Sequence, residues 1–150
     1  MFDGFASSSC GRVRAGLPRG LACSGPASLR SAVEATEFRR TTFDGQPKDP
    51  VTTRTLTPEE VSRVADSFGR FELPDPGNAC LYSPHHVLRC RYSDGRTHEI
   101  GICFSCGHIA VDPGRPLAVG MSYLDPIRRA LQSVGVPVRD RGFYEQAIPE

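Results

Sequence analysis

An excess of charge of either sign, a long apolar run and a recognisable catalytic signature are all missing from this chain of 150 residues. Its 18 basic side chains are nearly matched by 17 acidic ones, for a formal net charge of +1. That balance removes the electrostatic argument for a nucleic-acid or anionic-membrane partner. No apolar stretch approaches the roughly 18 residues of a spanning helix. Nor is there an apolar run of about 7–15 residues to serve as the core of a secretory signal, which favours a cytoplasmic location. No G-x-S-x-G, H-E-x-x-H or phosphate-binding glycine loop occurs. The distinctive chemistry left is that of cysteine and histidine.

That chemistry is concentrated. Residues 80–111, CLYSPHHVLRCRYSDGRTHEIGICFSCGHIAV, hold four of the six cysteines and all four histidines. The remaining two cysteines, Cys10 and Cys23, lie in a Gly-, Ser- and Arg-rich stretch without apolar periodicity. Residues 1–30 therefore read as a disordered or processed N-terminal segment. Residues 31–138 read as a single domain and residues 139–150 as a loose C-terminal tail. The 15 Gly and 13 Pro, many of them before residue 50 or between Pro113 and Gly120, shorten the core-forming segments. About 100 ordered residues remain, enough for one modest core.

Two helices announce themselves by their ends. Thr57 suits an N-cap, Pro58 the first helical position and Glu60 the far side of a capping box. Val61, Val64, Ala65 and Phe68 then form one apolar stripe, and Gly69 can end it. Asp125 and Pro126 repeat that start for a second helix, with Ile127, Ala130, Leu131 and Val134 as its stripe and Gly135 and Pro137 as its stop. Ahead of them, residues 33–43 alternate partly and suggest an edge strand. Asp44–Pro50 has the composition of a loop, Val51–Leu56 suggests a second short strand, and Phe71–Asn78 is turn material.

Asp94-Gly95 between two alternating runs marks a hairpin, and the residue pattern selects its register. A two-residue loop would set Arg89 opposite Ile100 and Arg91 opposite His98, mixing charge with aliphatic side chains on one face. A three-residue loop, Ser93-Asp94-Gly95 with Gly95 left-handed, instead pairs Cys90 with His98, Leu88 with Ile100 and His86 with Ile102. It gathers His86, Leu88, Cys90, Ile100, Ile102 and Phe104 on one face, leaving Arg89, Arg91, Glu99 and Cys103 on the other. Because a one-residue slip inverts every side chain, the second register is expected. With a returning strand at His108–Val111, the fold class is α+β: a small antiparallel sheet of three or more strands with two helices packed on one face.

Cys103-Phe104-Ser105-Cys106-Gly107 has the form of a zinc knuckle, in which two thiolates converge across a tight turn. No second C-x-x-C completes it. A zinc site would take Cys80, His86, Cys103 and Cys106, on condition that the turn re-aims Cys106. A Cys80–Cys103 disulfide competes for the same residues. Reduced, buried thiols packing as small apolar groups are the plainer alternative. A thioredoxin-like role is disfavoured because the motif lies between strands and not at a helix N-terminus.

Over half of the chain, from Thr57 to about Val138, resembles a group of small uncharacterised bacterial proteins. The matching features are Thr57, Cys80, Pro84-His85-His86, Asp94-Gly95, Ile102-Cys103-Phe104 with Cys106, and the closing helix Asp125–Val136. That resemblance implies domain limits and singles out Cys80, His86, Cys103 and Cys106, but implies no activity. The expectation is a small non-enzymatic binding or interaction domain with a structural cysteine cluster, taking a protein or small-molecule partner and no obligatory cofactor. A zinc-binding domain built on Cys103 and Cys106 is the alternative, and a thiol-dependent enzyme the third reading.

Overall fold

The computed structural model describes residues 30–41, 46–69, 82–92, 94–111 and 115–145. The expected N-terminal segment up to residue 29, the Phe71–Asn78 turn, Ser93 and the cysteines Cys10, Cys23 and Cys80 lie outside the described residues. In chain order the elements are β1 (Arg30–Thr41), β2 (Pro47–Thr55), α1 (Pro58–Ser67), β3 (His86–Tyr92), β4 (Thr97–Cys103), β5 (His108–Val111), β6 (Leu117–Ala118), α2 (Met121–Ser133) and α3 (Arg141–Glu145). The strands form one antiparallel sheet in the order β2-β1-β3-β4-β5-β6, so the fold is α+β.

The hairpin between β3 and β4 sets the faces. Gly95 has φ +84°, its N–H donates to Tyr92 O at 3.0 Å, and Tyr92 N–H donates to Arg96 O at 2.9 Å. The resulting pairs are Cys90 with His98, Leu88 with Ile100 and His86 with Ile102, the three-residue-loop register. On the other side of β3, Val33 opposes Cys90, Ala35 opposes Leu88 and Glu37 opposes His86. Directly opposed residues share a face, so one apolar surface runs across the middle of the sheet. Val61 and Val64 of α1, with Leu124, Ile127 and Leu131 of α2, bury it together with Ile100, Ile102 and Ile109. On the opposite face Arg89 pairs with Glu99 at 2.5 Å and with Glu34 at 3.6 Å.

The first helix starts as its sequence dictates. Thr57 Oγ1 accepts from Glu60 N–H at 3.3 Å, and Glu60 Oε2 accepts from Thr57 N–H at 2.9 Å, a reciprocal cap that satisfies two donors otherwise left open. The second helix differs from expectation. It begins at Met121 after Gly120, so Pro126 lies inside it and Asp125 is no cap. The proline removes one backbone donor from the helix ladder. Beginning a turn earlier buries Leu124 completely and Tyr123 in part, and these apolar gains offset the loss. Asp125 instead accepts from Arg129 one turn on, at 2.6 Å.

Two more expectations are corrected. β1 is an interior strand, paired with β2 on one side and β3 on the other, and the edge position belongs to β2. β2 also starts at Pro47, inside the stretch whose composition reads as loop. The segment expected as a loose tail is ordered through Glu145, where α3 folds back toward β1. Asp140 Oδ1 accepts from Phe143 N–H at 3.0 Å, and Tyr144 reaches the sheet. No helix among the described residues is long and apolar enough to cross a membrane.

Because the Thr57 cap is the only side-chain partner of Glu60 N–H, Thr57→Ala is expected to lower unfolding free energy by about 1 kcal/mol. Urea unfolding followed by circular dichroism measures it; a loss below about 0.3 kcal/mol would show that the helix start does not rely on the box.

Candidate functional site

The structure separates the residues singled out for zinc. His86 pairs with Ile102 and lies on the helix-covered face, whereas Cys103, one residue further along β4, faces the other way. Cys106 is disulfide-bonded, so its sulfur is not a thiolate available to a metal. The other described cysteines, Cys90 and Cys103, are buried and form no disulfide. Of the set Cys80, His86, Cys103 and Cys106, His86 and Cys103 face opposite sides of the sheet, and Cys80 lies outside the described residues. Among those residues no three His, Cys, Asp or Glu side chains are grouped to hold a metal ion. The expected Cys80–Cys103 bridge is not formed either, because Cys103 carries a free thiol.

Cys103 instead has a packing role. It is fully buried, with Ser105 Oγ 3.4 Å from its sulfur and Tyr82 close enough for their charges to oppose each other. Tyr82 crosses the sheet over Gly101, where any Cβ would collide with its hydroxyl. Burial, and then proximity to Cys103, push the Tyr82 phenol well above its ordinary value. Cys90 occupies the opposite face among the aliphatic core residues.

The polar concentration lies elsewhere, at the end of the sheet where β3 begins and β4 turns. A cleft of about 240 Å³ opens between His85 and His86 at the start of β3, Phe104 and Ser105 after β4, Met121 and Arg128 of α2, and the Arg139–Tyr144 segment. One wall is anchored on Glu37, whose side chain is wholly buried at the end of the β1 core face. Its carboxylate accepts from Arg139 Nε at 2.9 Å, from Tyr144 Oη at 3.0 Å and from Thr52 Oγ1 at 3.2 Å. A buried carboxylate is tolerable only when paired and hydrogen-bonded in this way. Tyr144 also stacks on His85, their ring centroids 4.2 Å apart.

His86 is only 2 % exposed. Its Nε2 lies 2.8 Å from the carbonyl oxygen of Pro137, which can only accept, so Nε2 carries the proton and Nδ1 the lone pair. Nδ1 has no hydrogen-bond partner. Burial dominates the ring's titration and lowers its pKa to about 4, so His86 is neutral at pH 7. Burial lowers His85 in the same direction. Arg128 stands over Phe104, 5.5 Å from the ring centroid, and its buried Nε also lacks a partner. His86 meets the same phenyl ring edge-on at 5.1 Å. Two buried polar atoms without partners thus belong to side chains that flank one aromatic ring.

Of this cleft, sequence reasoning identified His86 alone. Arg128 reads as one of two arginines on a solvated helix face, yet only Arg129 is exposed. Glu37 falls in a stretch that alternates only partly and reads as an edge strand. Arg139 and Tyr144 lie in the segment taken as tail, where the neighbouring aromatics Phe143 and Tyr144 were the available signal that it docks. Comparison with protein families, with curated proteins and with solved structures found no match to this chain.

Two expected outcomes follow from this geometry. Between pH 6.5 and about 4 the unfolded chain protonates His86 while the folded site resists it, so stability falls as pH drops through that window and levels off below it. The difference corresponds to a loss on the order of 3 kcal/mol. Urea midpoints across pH 4–7 are expected to show the slope, and His86→Gln to remove most of it. Separately, Glu37→Ala leaves Arg139 and Tyr144 without their acceptor and is expected to cost about 3 kcal/mol. Amide exchange of residues 141–145 should rise well above that of the sheet; unchanged protection there would show that α3 is held by other contacts.

Proposed function

We propose that this chain is a small, non-enzymatic binding domain whose ligand site is the cleft lined by His86, Phe104 and Arg128. The observation that carries this reading is the pair of buried, unpartnered atoms, His86 Nδ1 and Arg128 Nε. Buried polar atoms in folded proteins are nearly always satisfied, so two orphans at one cleft call for a partner from outside the chain. The cleft is too large for a single water to be its natural content. Its 240 Å³ is about eight times the volume per molecule in liquid water, while falling below the range of drug-sized pockets. A compact small molecule fits that interval.

The cysteines serve the fold in this reading. Cys90 and Cys103 are buried thiols on opposite sides of the sheet, and neither lines the cleft. The non-enzymatic character rests on the same arrangement. Apart from His86, the cleft's aromatic and basic groups position a ligand and supply no nucleophile beside a base. Of the two hydroxyls on the lining residues, that of Ser105 is directed at the sulfurs of Cys103 and Cys106 and that of Tyr144 at Glu37.

A ¹H–¹⁵N correlation screen of the whole chain against a mixed set of small, soluble fragments is the test. Shifts are expected to cluster on the amides of His85, His86, Phe104, Arg128 and residues 139–144. A screen in which no fragment perturbs this cluster would reject the cleft as a binding site. Conversion of a bound fragment to a new species, abolished by Arg128→Gln, would reject the non-enzymatic part.

A further inference from the structure

We propose that the cleft selects small organic acids that carry a single negative charge, a hydroxyl close to the acid group and an apolar or aromatic body. This rests on the cleft being a ligand site, and it follows from what each side chain there still has to offer.

The acid group is assigned by elimination among the cleft's arginines. Arg139 is held by the buried Glu37, whereas Arg141 pairs with Glu145 in the solvent, where its charge is screened. Arg128 forms no ion pair among the described residues and holds a buried, unpartnered Nε. A guanidinium in that state is the natural seat for one carboxylate or other planar acid, which it can grip with two parallel hydrogen bonds. Charge sets an upper limit as well as a lower one. Asp140 also lines the cleft, so a second negative charge on the ligand would meet a carboxylate, opposed beyond Arg128 only by the solvent-screened Arg141. A monoanion is favoured over a dianion.

The hydroxyl is assigned by the imidazole tautomer. Pro137 O fixes the proton on Nε2, which leaves Nδ1 as an acceptor and excludes a second ligand oxyanion there. The ligand must present a donor. A hydroxyl and an ammonium are both donors, but the same burial that keeps His86 neutral opposes bringing an ammonium charge to its side. His86 and Arg128 approach the same Phe104 ring, at 5.1 and 5.5 Å between centroid and partner. Both line one cleft of about 240 Å³, so acid and hydroxyl belong on one compact molecule. The rest of its body faces Phe104, Tyr144 and the exposed Met121 side chain, surfaces that reward apolar contact.

Four probes of one shape separate these requirements: mandelate has carboxylate and hydroxyl, phenylacetate lacks the hydroxyl, methyl mandelate lacks the charge, and phenylglycine replaces the hydroxyl by an ammonium. Titrated into the full chain with the cleft amides as readout, mandelate is expected to bind about tenfold more tightly than each of the others. Arg128→Gln, a polar replacement at a partly buried position of α2, is expected to erase that preference while leaving the rest of the spectrum unchanged. Equal affinities for all four probes, or mandelate silent while unrelated fragments occupy the cleft, would overturn the ligand class and leave the site standing. Silence of the cleft towards both the probes and the fragment set would overturn the site itself.

Discussion

A three-residue loop between Tyr92 and Arg96 decides which side of the sheet every residue of β3 and β4 occupies, and the chemistry of the molecule follows from that choice. Strand pairing propagates the choice to β1 through Val33, Ala35 and Glu37 and to β5 through Ile109. It puts Leu88, Cys90, Ile100 and Ile102 beneath the two longer helices, and places Arg89 and Glu99 where they can pair in partial contact with water. The same choice draws His86 into the helix-covered layer and sends Cys103 to the far side. A cysteine and a histidine that look like co-ligands in the sequence are thereby separated by the thickness of the sheet. Register, a backbone property, determines what side-chain chemistry is possible.

Glu37 is the second constraint. It occupies a core-face position at the end of β1, opposite His86, where an aliphatic side chain would simply have extended the core. A carboxylate there must be satisfied, and the groups that satisfy it come from β2 and from the segment after α2. The charge thus acts as an anchor for the C-terminal segment, and anchoring that segment creates the cleft. Without α3 and its approach, His85, His86 and Arg128 would line an open surface. A polar residue in the core layer marks where the apolar core stops and the cleft starts.

Legibility in the sequence followed the range of the interaction. The cap at Thr57 depends on residues three positions apart, and the Gly95 loop on a stretch of five; both were readable because short spacing and residue type are sufficient. The start of α2 was misplaced because Pro126 fits a first-turn position equally well, and only the burial of Leu124 by distant strands favours the earlier start. β1 reads as an edge because its residues alternate only partly, and nothing local marks Glu37 as a core-face residue. What compensates Glu37 lies 102 and 107 residues further on, in Arg139 and Tyr144, beyond the reach of any local pattern. The candidate site shares that limitation: His86 was noticed for its residue type, while its partners in the cleft are joined to it by tertiary contacts alone.

The link between Glu37 and the segment after α2 also orders events during synthesis. A nascent chain can form the hairpins of β1 with β2 and of β3 with β4 as soon as each pair has emerged, since those contacts are local. The wall contributed by Arg139 and Tyr144 closes a loop of more than one hundred residues, a slow, entropically costly step. A chain that has emerged only as far as Val136 would therefore hold its strands and the two longer helices while the cleft still lacks a wall. The cleft is thus a late feature of the fold, taking shape only after the strands and the two longer helices that frame it are in place.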